Sequence, residues 1–113
     1  MKINTIDLFA GCGGFSCGFE RAGYNIISAV EYDKNIAKSY ENNHKNVNVI
    51  ADDIKNVDNN ETFKLGSADI IIGGPPCQGF SMAGARNRNG FMDDPRNYLY
   101  RLYCRFLKKY QPK

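Results

Sequence analysis

The sequence predicts an α/β protein with a Rossmann-like fold, in which a mostly parallel sheet is flanked by helices. Short apolar runs alternate with segments of helical periodicity along the chain. A glycine-rich turn, residues 11–14, follows the first apolar run. Because 113 residues is a typical length for one domain, we expect a single domain over residues 1–113.

Strands and helices are predicted in turn from these patterns. β-branched and apolar runs predict strands that are buried or nearly so, and Gly23 and Asp33 mark a helix end and a helix N-cap. A polar stretch after the third strand leads into a weak helix. The predicted strands are 3–8, 25–31, 47–51 and 68–72, and the predicted helices are 15–22, one starting after Asp33, 61–65 and an amphipathic 96–110.

Three sequence features lie at predicted strand ends. They are the turn at 11–14, Glu31 and the segment 75–78. Strands that alternate with helices form right-handed βαβ units and a parallel sheet, and ligands of such sheets bind beyond the carboxyl ends of the strands. We therefore expect these features to converge on one cleft.

Composition and cysteine spacing exclude several classes of protein. Hydrophobic residues make up 42% and charged residues 24% of the chain, which is ordinary globular usage rather than disorder. No apolar run approaches the length of a membrane helix, and the N-terminus lacks the pattern of an export signal, so we expect a cytoplasmic location and reduced thiols. The four cysteines show no C-x-x-C spacing and His44 is the one histidine, which argues against a metal site.

Positive charge is concentrated near the end of the chain. Residues 1–85 carry 7 Lys and Arg against 10 Asp and Glu, a net charge of −3, whereas residues 86–113 carry 8 against 2, a net charge of +6. Such a basic segment is a plausible contact for a polyanion, and it is also typical of a solvated helix face. The charge count alone leaves both interpretations open.

The first three strand ends carry residues suited to an adenosine ligand. Free N–H groups at a glycine-rich helix start favour an anion, and Glu31 can accept hydrogen bonds from two ribose hydroxyls. Asp53 could accept from an adenine amino group while Ile54 packs against the ring. Each feature also has an ordinary interpretation, namely a plain strand-to-helix turn, an exposed strand-end charge and a turn aspartate.

The fourth strand end separates a dinucleotide enzyme from a methyltransferase. Residues 73–81 place Cys77 after two prolines that stiffen its approach to the cleft. Enzymes that methylate exocyclic amino groups commonly have Asp or Asn, two prolines and an aromatic residue here. Neither the polar acceptor nor the ring is present at these positions, so amino methylation is disfavoured.

Taken together, the chain resembles the cytosine C5 DNA methyltransferases along nearly its whole length. Residues 7–23 resemble the first motif of that family, residues 74–81 its catalytic motif, and residues 93–100 the segment after its catalytic loop. The Pro76-Cys77-Gln78 core followed by Phe80-Ser81 is highly specific.

The resemblance implies a cofactor, a nucleophile and a nucleic-acid partner. It implies S-adenosyl-L-methionine as the methyl donor, Cys77 as the nucleophile and double-stranded DNA as the substrate. It suggests that DNA contacts come from Gln78, Ser81, Arg86 and Arg88. The cofactor-binding residues that it implies are Phe9, Gly11, Gly14, Glu31, Asp53, Ile54, Pro76 and Leu99.

Some motifs of the family are not found in these residues. The pattern continues with a Glu-Asn-Val motif, whose glutamate holds cytosine N3, and with a target-recognition region, and neither occurs in residues 1–113. We therefore expect the N-terminal part of a catalytic domain, completed in cis or in trans and inactive alone, within a restriction-modification system. An RNA cytosine C5 methyltransferase and a non-catalytic binding subunit remain alternatives.

Overall fold

The computed structural model describes residues 2–59, 63, 67–75 and 98–113. Its strands form one four-stranded sheet in the order β3-β2-β1-β4, and every strand pair is parallel. The α/β class and the parallel sheet predicted from the sequence are confirmed. The elements in chain order are β1 (Asn4–Leu8), α1 (Gly14–Arg21), β2 (Asn25–Glu31), α2 (Lys34–Asn43), β3 (Asn48–Ala51), α3 (Ile54–Asn59), β4 (Ile70–Gly73) and α4 (Leu99–Tyr110).

The two central strands are buried and the edge strand β3 is not. Leu8 pairs with Val30 of β2 on one side and with Gly73 of β4 on the other, so β1 is covered along both edges. In β3, Asn48 and Ala51 are exposed. The prediction that every strand is buried or nearly so is wrong for β3, an edge strand of the described sheet. The opposite edge strand, β4, is nearly buried because Ile71 packs in the core with residues of α4.

The predicted ends of α1 and α2 are confirmed at their caps. Gly23 has φ of 95°, and its N–H donates to the Glu20 carbonyl while the Tyr24 N–H donates to the Phe19 carbonyl. This pair of bonds is a Schellman motif, in which glycine avoids the cost of a Cβ. At the start of α2, the Asp33 carboxylate accepts from the backbone N–H groups of Asn35 and Ile36.

The helix α3 was not predicted, because its apolar signal is short. The sequence indicated a polar stretch before a weak helix at 61–65, and of those residues the structure describes only Phe63. Instead a helix of 6 residues begins at Ile54. Ile54 and Val57, three positions apart, are its buried side chains in the described part of the helix. Two apolar residues are too few to establish a helical period.

Two apolar layers cover the faces of the sheet. The larger contains Leu102, Phe106 and Tyr110 of α4, which confirms the amphipathic pattern predicted for that helix. The smaller contains Ala10, Ala29 and Tyr40. The predicted residues 96 and 97 of the last helix lie outside the described residues. In the part of the chain that is described, no helix combines the length and apolar character needed to cross a membrane.

A reduced cysteine serves either as a small core residue or as a reactive group. Cys12, Cys17 and Cys104 are all exposed and carry free thiols, so none of the three is a core residue. Cys77 lies outside the described residues.

Candidate functional site

A cavity of about 420 Å³ opens at the carboxyl edge of the sheet. Every strand of the sheet reaches this cavity at or just beyond its carboxyl end, and α3 and α4 begin beside it. The lining residues are Phe9, Val30, Glu31, Tyr32, Asp52, Asp53, Ile54, Gly74 and Leu99. The sheet topology therefore brings separated segments of the sequence to one concave surface, as predicted for the carboxyl ends of parallel strands.

Five of the predicted cofactor residues line this cavity, namely Phe9, Glu31, Asp53, Ile54 and Leu99. Gly11 is linked to it through Glu31, whereas Gly14 starts α1 and is not among the lining residues. The remaining predicted site residues lie outside the described part of the chain: Pro76, Cys77, Gln78, Ser81, Arg86 and Arg88.

Glu31 is held by backbone donors at both of its carboxylate oxygens. Oε1 accepts from the Gly11 N–H at 3.0 Å, and Oε2 accepts from the Asp33 N–H at 2.7 Å. These bonds fix the side chain between the glycine-rich turn and the start of α2. Since an ionised carboxylate offers about four acceptor positions, each oxygen keeps capacity to accept a further hydrogen bond from a ligand.

Asp52 and Asp53 contribute two more carboxylates next to Glu31. Asp53 Oδ1 accepts from the Lys55 N–H at 2.9 Å, so Asp53 caps the start of α3. The Asn56 amide and the Asp53 N–H both donate to Asp52 and lower the pKa of its carboxyl group. This side of the cavity is therefore anionic and suits ligand groups that donate hydrogen bonds.

Phe9 and Leu99 supply apolar walls to the same cavity. Phe9 has φ of 55°, a left-handed conformation that costs a non-glycine residue of the order of 1–3 kcal/mol. The next residue, Ala10, donates to the Val30 carbonyl at 2.9 Å, which holds the backbone after the strained residue against β2. Strain of this kind is common at binding sites, where neighbouring contacts impose it.

The glycine-rich turn packs closely against the residue that follows α2. Gly13 has φ of 101°, and a Cβ at this position would overlap the ring of His44. His44 is buried, and its Nδ1 lies 3.1 Å from Glu20 Oε1 on α1. Gly13 is therefore required both by its backbone conformation and by the closeness of His44.

A buried polar network lies beneath the turn. The Ser16 hydroxyl donates to Asp7 Oδ2 at 2.6 Å, and since that hydroxyl has one proton, the Tyr40 hydroxyl donates to Ser16 Oγ at 2.6 Å. Asp7 is fully buried and its Oδ1 has no hydrogen-bond partner. Burial raises the pKa of Asp7 against the opposing effect of Ser16, and it raises the pKa of Tyr40 to about 12.

The cofactor residues predicted from the sequence did not include four lining residues: Val30, Tyr32, Asp52 and Gly74, the last of which had been assigned to the catalytic motif. Each is adjacent to a residue that had been singled out, so a search of whole strand ends rather than single positions would have found them. Sequence reasoning also missed the network of Asp7, Ser16 and Tyr40, which has no motif of its own. No group of His, Cys, Asp and Glu side chains suited to a metal ion occurs among the described residues.

Known proteins match this chain in both sequence and structure. It is 50% identical over 113 residues to the type II methyltransferase M.DdeI of Desulfomicrobium norvegicum, covering 98% of this chain and 26% of that protein. It is 47% identical to M.NgoPII of Neisseria gonorrhoeae, covering 100% of this chain and 31% of the relative. The chain thus spans about a quarter to a third of the length of these relatives.

A solved structure has the same fold over most of the chain. A DNA modification methyltransferase encoded within an E. coli prophage superimposes with a TM-score of 0.76 at 34% identity, covering 98% of this chain and 30% of that one. The profile of C-5 cytosine-specific DNA methylases matches residues 3–113. Every described element lies within the matched range, and the chain belongs to the C-5 cytosine-specific DNA methylase family.

Proposed function

We propose that this chain binds S-adenosyl-L-methionine in the cavity at the carboxyl edge and supplies the nucleophile of a DNA cytosine C5 methyltransferase. The observation that carries the proposal is the convergence of Phe9, Glu31, Asp53, Ile54 and Leu99 on one cavity. Since its relatives are type II methyltransferases, we place its action within a restriction-modification system.

The size and chemistry of the cavity fit this cofactor. Its volume of about 420 Å³ lies within the range of about 300–1,000 Å³ that is usual for small-molecule sites. Glu31 would accept hydrogen bonds from the two ribose hydroxyls, because backbone N–H groups already orient both of its oxygens. Asp53 would accept from the adenine amino group with its second oxygen, and Phe9, Ile54 and Leu99 would enclose the purine ring.

When bound, the cofactor supplies an electrophilic methyl group. Cytosine C5 is a poor carbon nucleophile, and the role proposed for Cys77 is to correct this. Its thiolate forms a bond to C6, and the electron pair of the C5–C6 double bond becomes available at C5 for methylation. A base then removes the C5 proton, the thiolate leaves, and the double bond is restored. Cys77 lies outside the described residues, so its role rests on the Pro76-Cys77-Gln78 motif.

The substrate base must leave the stacked duplex before a thiolate can reach C6. We assign contacts with the DNA around that base to Gln78, Ser81, Arg86 and Arg88, which follow the nucleophile in the sequence. Arginine side chains are suited to bind the phosphates next to an extruded nucleotide. These assignments rest on the motif and on charge.

We further propose that methyl transfer requires more than residues 1–113, which form the N-terminal part of the catalytic domain. The relatives are three to four times as long as the matched region, and no Glu-Asn-Val segment occurs in this sequence. The glutamate of that motif would hold cytosine N3, and a positioned acid or base in such a role contributes about 10²- to 10⁴-fold in rate.

The nucleophile is tested by trapping on a duplex that contains 5-fluorocytosine. The fluorine at C5 cannot leave as a proton does, so the adduct between thiol and base should persist through denaturing electrophoresis. The chain is assayed together with the C-terminal part of the enzyme and S-adenosyl-L-methionine. Cys77→Ala should abolish the trapped species, whereas Cys104→Ala, a change at an exposed thiol of α4, should leave it intact. A trapped species that survives Cys77→Ala would refute the role.

A further inference from the structure

We propose that Tyr98, Tyr100 and Arg101 form a contact site for the phosphate backbone of duplex DNA, beside the cofactor cavity. Nothing in the motif comparison assigns a role to these three residues. The proposal rests on the proposed function for its partner, and it adds a place on the described surface where that partner is held.

Arg101 is positioned by two aromatic rings. Its Cζ lies 5.1 Å from the centroid of the Tyr98 ring and 6.0 Å from that of Tyr100, and its Nε donates to the Tyr100 hydroxyl at 3.4 Å. Arg101 is exposed, as are Tyr98 at 53% and Tyr100 at 43%. The rings restrict the guanidinium without neutralising it, and within the described ranges no carboxylate forms an ion pair with Arg101.

The cluster lies at the same edge of the molecule as the cavity. Leu99 lies between Tyr98 and Tyr100 in the sequence and lines the cavity, and α4 begins there. Arg101 comes two positions after Leu99, so its side chain leaves the first turn of α4 on a different face from the cavity lining. For the proposed reaction, a duplex that brings its target base to the cavity extends past this first turn.

The charges along this edge are divided in a way that favours a polyanion at α4. Glu31 ends β2, and Asp52 and Asp53 follow β3, so all three carboxylates lie on one half of the sheet. In the order β3-β2-β1-β4, β1 separates that half from β4. With strands about 4.8 Å apart, β4 lies about 10 Å from β2. α4 packs against β4, where the Tyr103 hydroxyl donates to the Ile71 carbonyl at 3.2 Å. DNA is repelled by the acidic half and attracted by Arg101, so the field favours DNA binding on the α4 side.

The other basic residues at this end of the described chain, including Arg105, lie farther along α4 or beyond it. Lys108 and Lys109 occupy the last turn, where positive charge interacts favourably with the helix dipole, and Lys113 forms an ion pair of 3.5 Å with Asp69. Lys108 is seven residues after Arg101, or about 10 Å along the helix axis. Within the described residues, the basic side chains near the end of the chain lie on or just after α4, and Arg101 is the first of them along the helix.

Phosphate matches the chemistry of this cluster. A guanidinium donates two parallel hydrogen bonds to phosphate oxygens, and tyrosine hydroxyls donate to the same acceptors. Such contacts do not read the base sequence, so they position the duplex rather than select it. The cluster therefore accounts for salt-dependent, sequence-independent binding next to the target base.

The test measures binding of the chain to a fluorescent duplex by anisotropy over a range of salt concentrations. Arg101→Gln should weaken binding about two- to tenfold and reduce the slope of log affinity against log salt by about 0.9, the value for one phosphate contact. Arg101→Lys should restore part of the affinity, since it keeps the charge but loses the planar fork. Lys108→Gln is the matched control, because it removes the same charge from the same helix, and it should change the slope by less than half as much.

Four results would overturn the proposal. The first two are equal effects of Arg101→Gln and Lys108→Gln, and a salt slope that Arg101→Gln leaves unchanged. The third is no DNA binding by the unmodified chain at low salt. The fourth is that Arg101→Gln weakens binding to polyglutamate as much as it weakens binding to DNA, which would indicate an acidic protein partner. Calorimetry with S-adenosyl-L-methionine separates this proposal from the proposed function. Arg101→Gln should keep the cofactor affinity, and an unmodified chain that fails to bind the cofactor would refute the function while leaving the DNA result interpretable.

Discussion

Replacement of Glu31 by alanine should weaken cofactor binding more than any other single change in the cavity. The variant loses the acceptors proposed for both ribose hydroxyls, and it also loses the anchor of the Gly11 and Asp33 N–H groups. A hydrogen bond to a charged group contributes about 1.5–3 kcal/mol. Loss of one such net contribution therefore reduces the affinity by about 10- to 150-fold.

The structure adds a second expected effect of Glu31→Ala. The Gly11 N–H is partly buried and would lose its acceptor, so the glycine-rich turn should become less stable even without ligand. Glu31→Gln separates the loss of ligand contacts from the loss of the turn's acceptor. Its carbonyl oxygen can replace one carboxylate oxygen as acceptor, but its NH₂ group cannot accept from the other backbone N–H. We expect its affinity to fall between those of the unmodified chain and the alanine variant.

Calorimetric titration with S-adenosyl-L-methionine measures these affinities, and thermal denaturation reports whether each variant is folded. Glu41→Ala is the matched control, because Glu41 is an exposed glutamate on α2 and does not line the cavity. Unchanged affinity in a folded Glu31→Ala variant would refute the assignment. An equal loss in Glu41→Ala would show that overall charge, rather than the position of the carboxylate, controls binding.

Further predictions concern the glycine-rich turn, α1 and the buried polar network of Asp7, Ser16 and Tyr40. Gly13→Ala should lower the free energy of unfolding by about 1–3 kcal/mol in urea titrations, because its Cβ would overlap His44 and its φ is positive. Gly18→Ala on α1 has open space around it and should raise the free energy of unfolding by up to about 1 kcal/mol. Equal effects would contradict the packing argument. Asp7 has a pKa raised above 3.8 by burial, so the folded state keeps a proton that the unfolded state loses, and stability should fall as pH rises through that window. Asp7→Asn keeps an acceptor for Ser16 and should remove this dependence in urea titrations across acidic pH, and an unchanged pH profile would contradict the assignment. Tyr40→Phe should remove a phenol that ionises near pH 12 in the absorbance titration.

Local patterns were sufficient to predict most elements of the sheet. The strand 25–31 is reproduced at both ends, and Asp33 caps α2 as its residue type indicates. These features depend on neighbours in the sequence, such as a β-branched run or a carboxylate two residues before an N–H group. The parallel direction of the strands could be anticipated, but their order in the sheet could not, because strand pairing depends on the packing of segments that are distant in the sequence.

The features that could not be predicted from the sequence are those that depend on contacts between segments distant in the chain or on a very short pattern. α3 depends on two buried side chains and a capping aspartate, and this signal is too short to distinguish from a turn. The closeness of His44 to Gly13 joins residues that are 31 positions apart. Glu31, Asp53 and Ile54 were anticipated from their positions at strand ends, and Phe9 and Leu99 through the resemblance. Tyr32 and Asp52 are identified as lining residues only by the shape of the cavity.

The buried carboxylate of Asp7 connects the stability of the fold with its proposed site. Burial of a charge with one unsatisfied oxygen is costly, and an apolar residue would avoid that cost. Yet Ser16 and Tyr40 link Asp7 on β1 to both α1 and α2, the two helices nearest the glycine-rich turn. Glu31 joins the same turn to the start of α2 from the cavity side. The glycine-rich turn is thus held on its buried side by the network of Asp7, Ser16 and Tyr40, and on its cavity side by the Glu31 carboxylate. A substitution in the network or at Glu31 should therefore shift Gly11 and alter cofactor affinity.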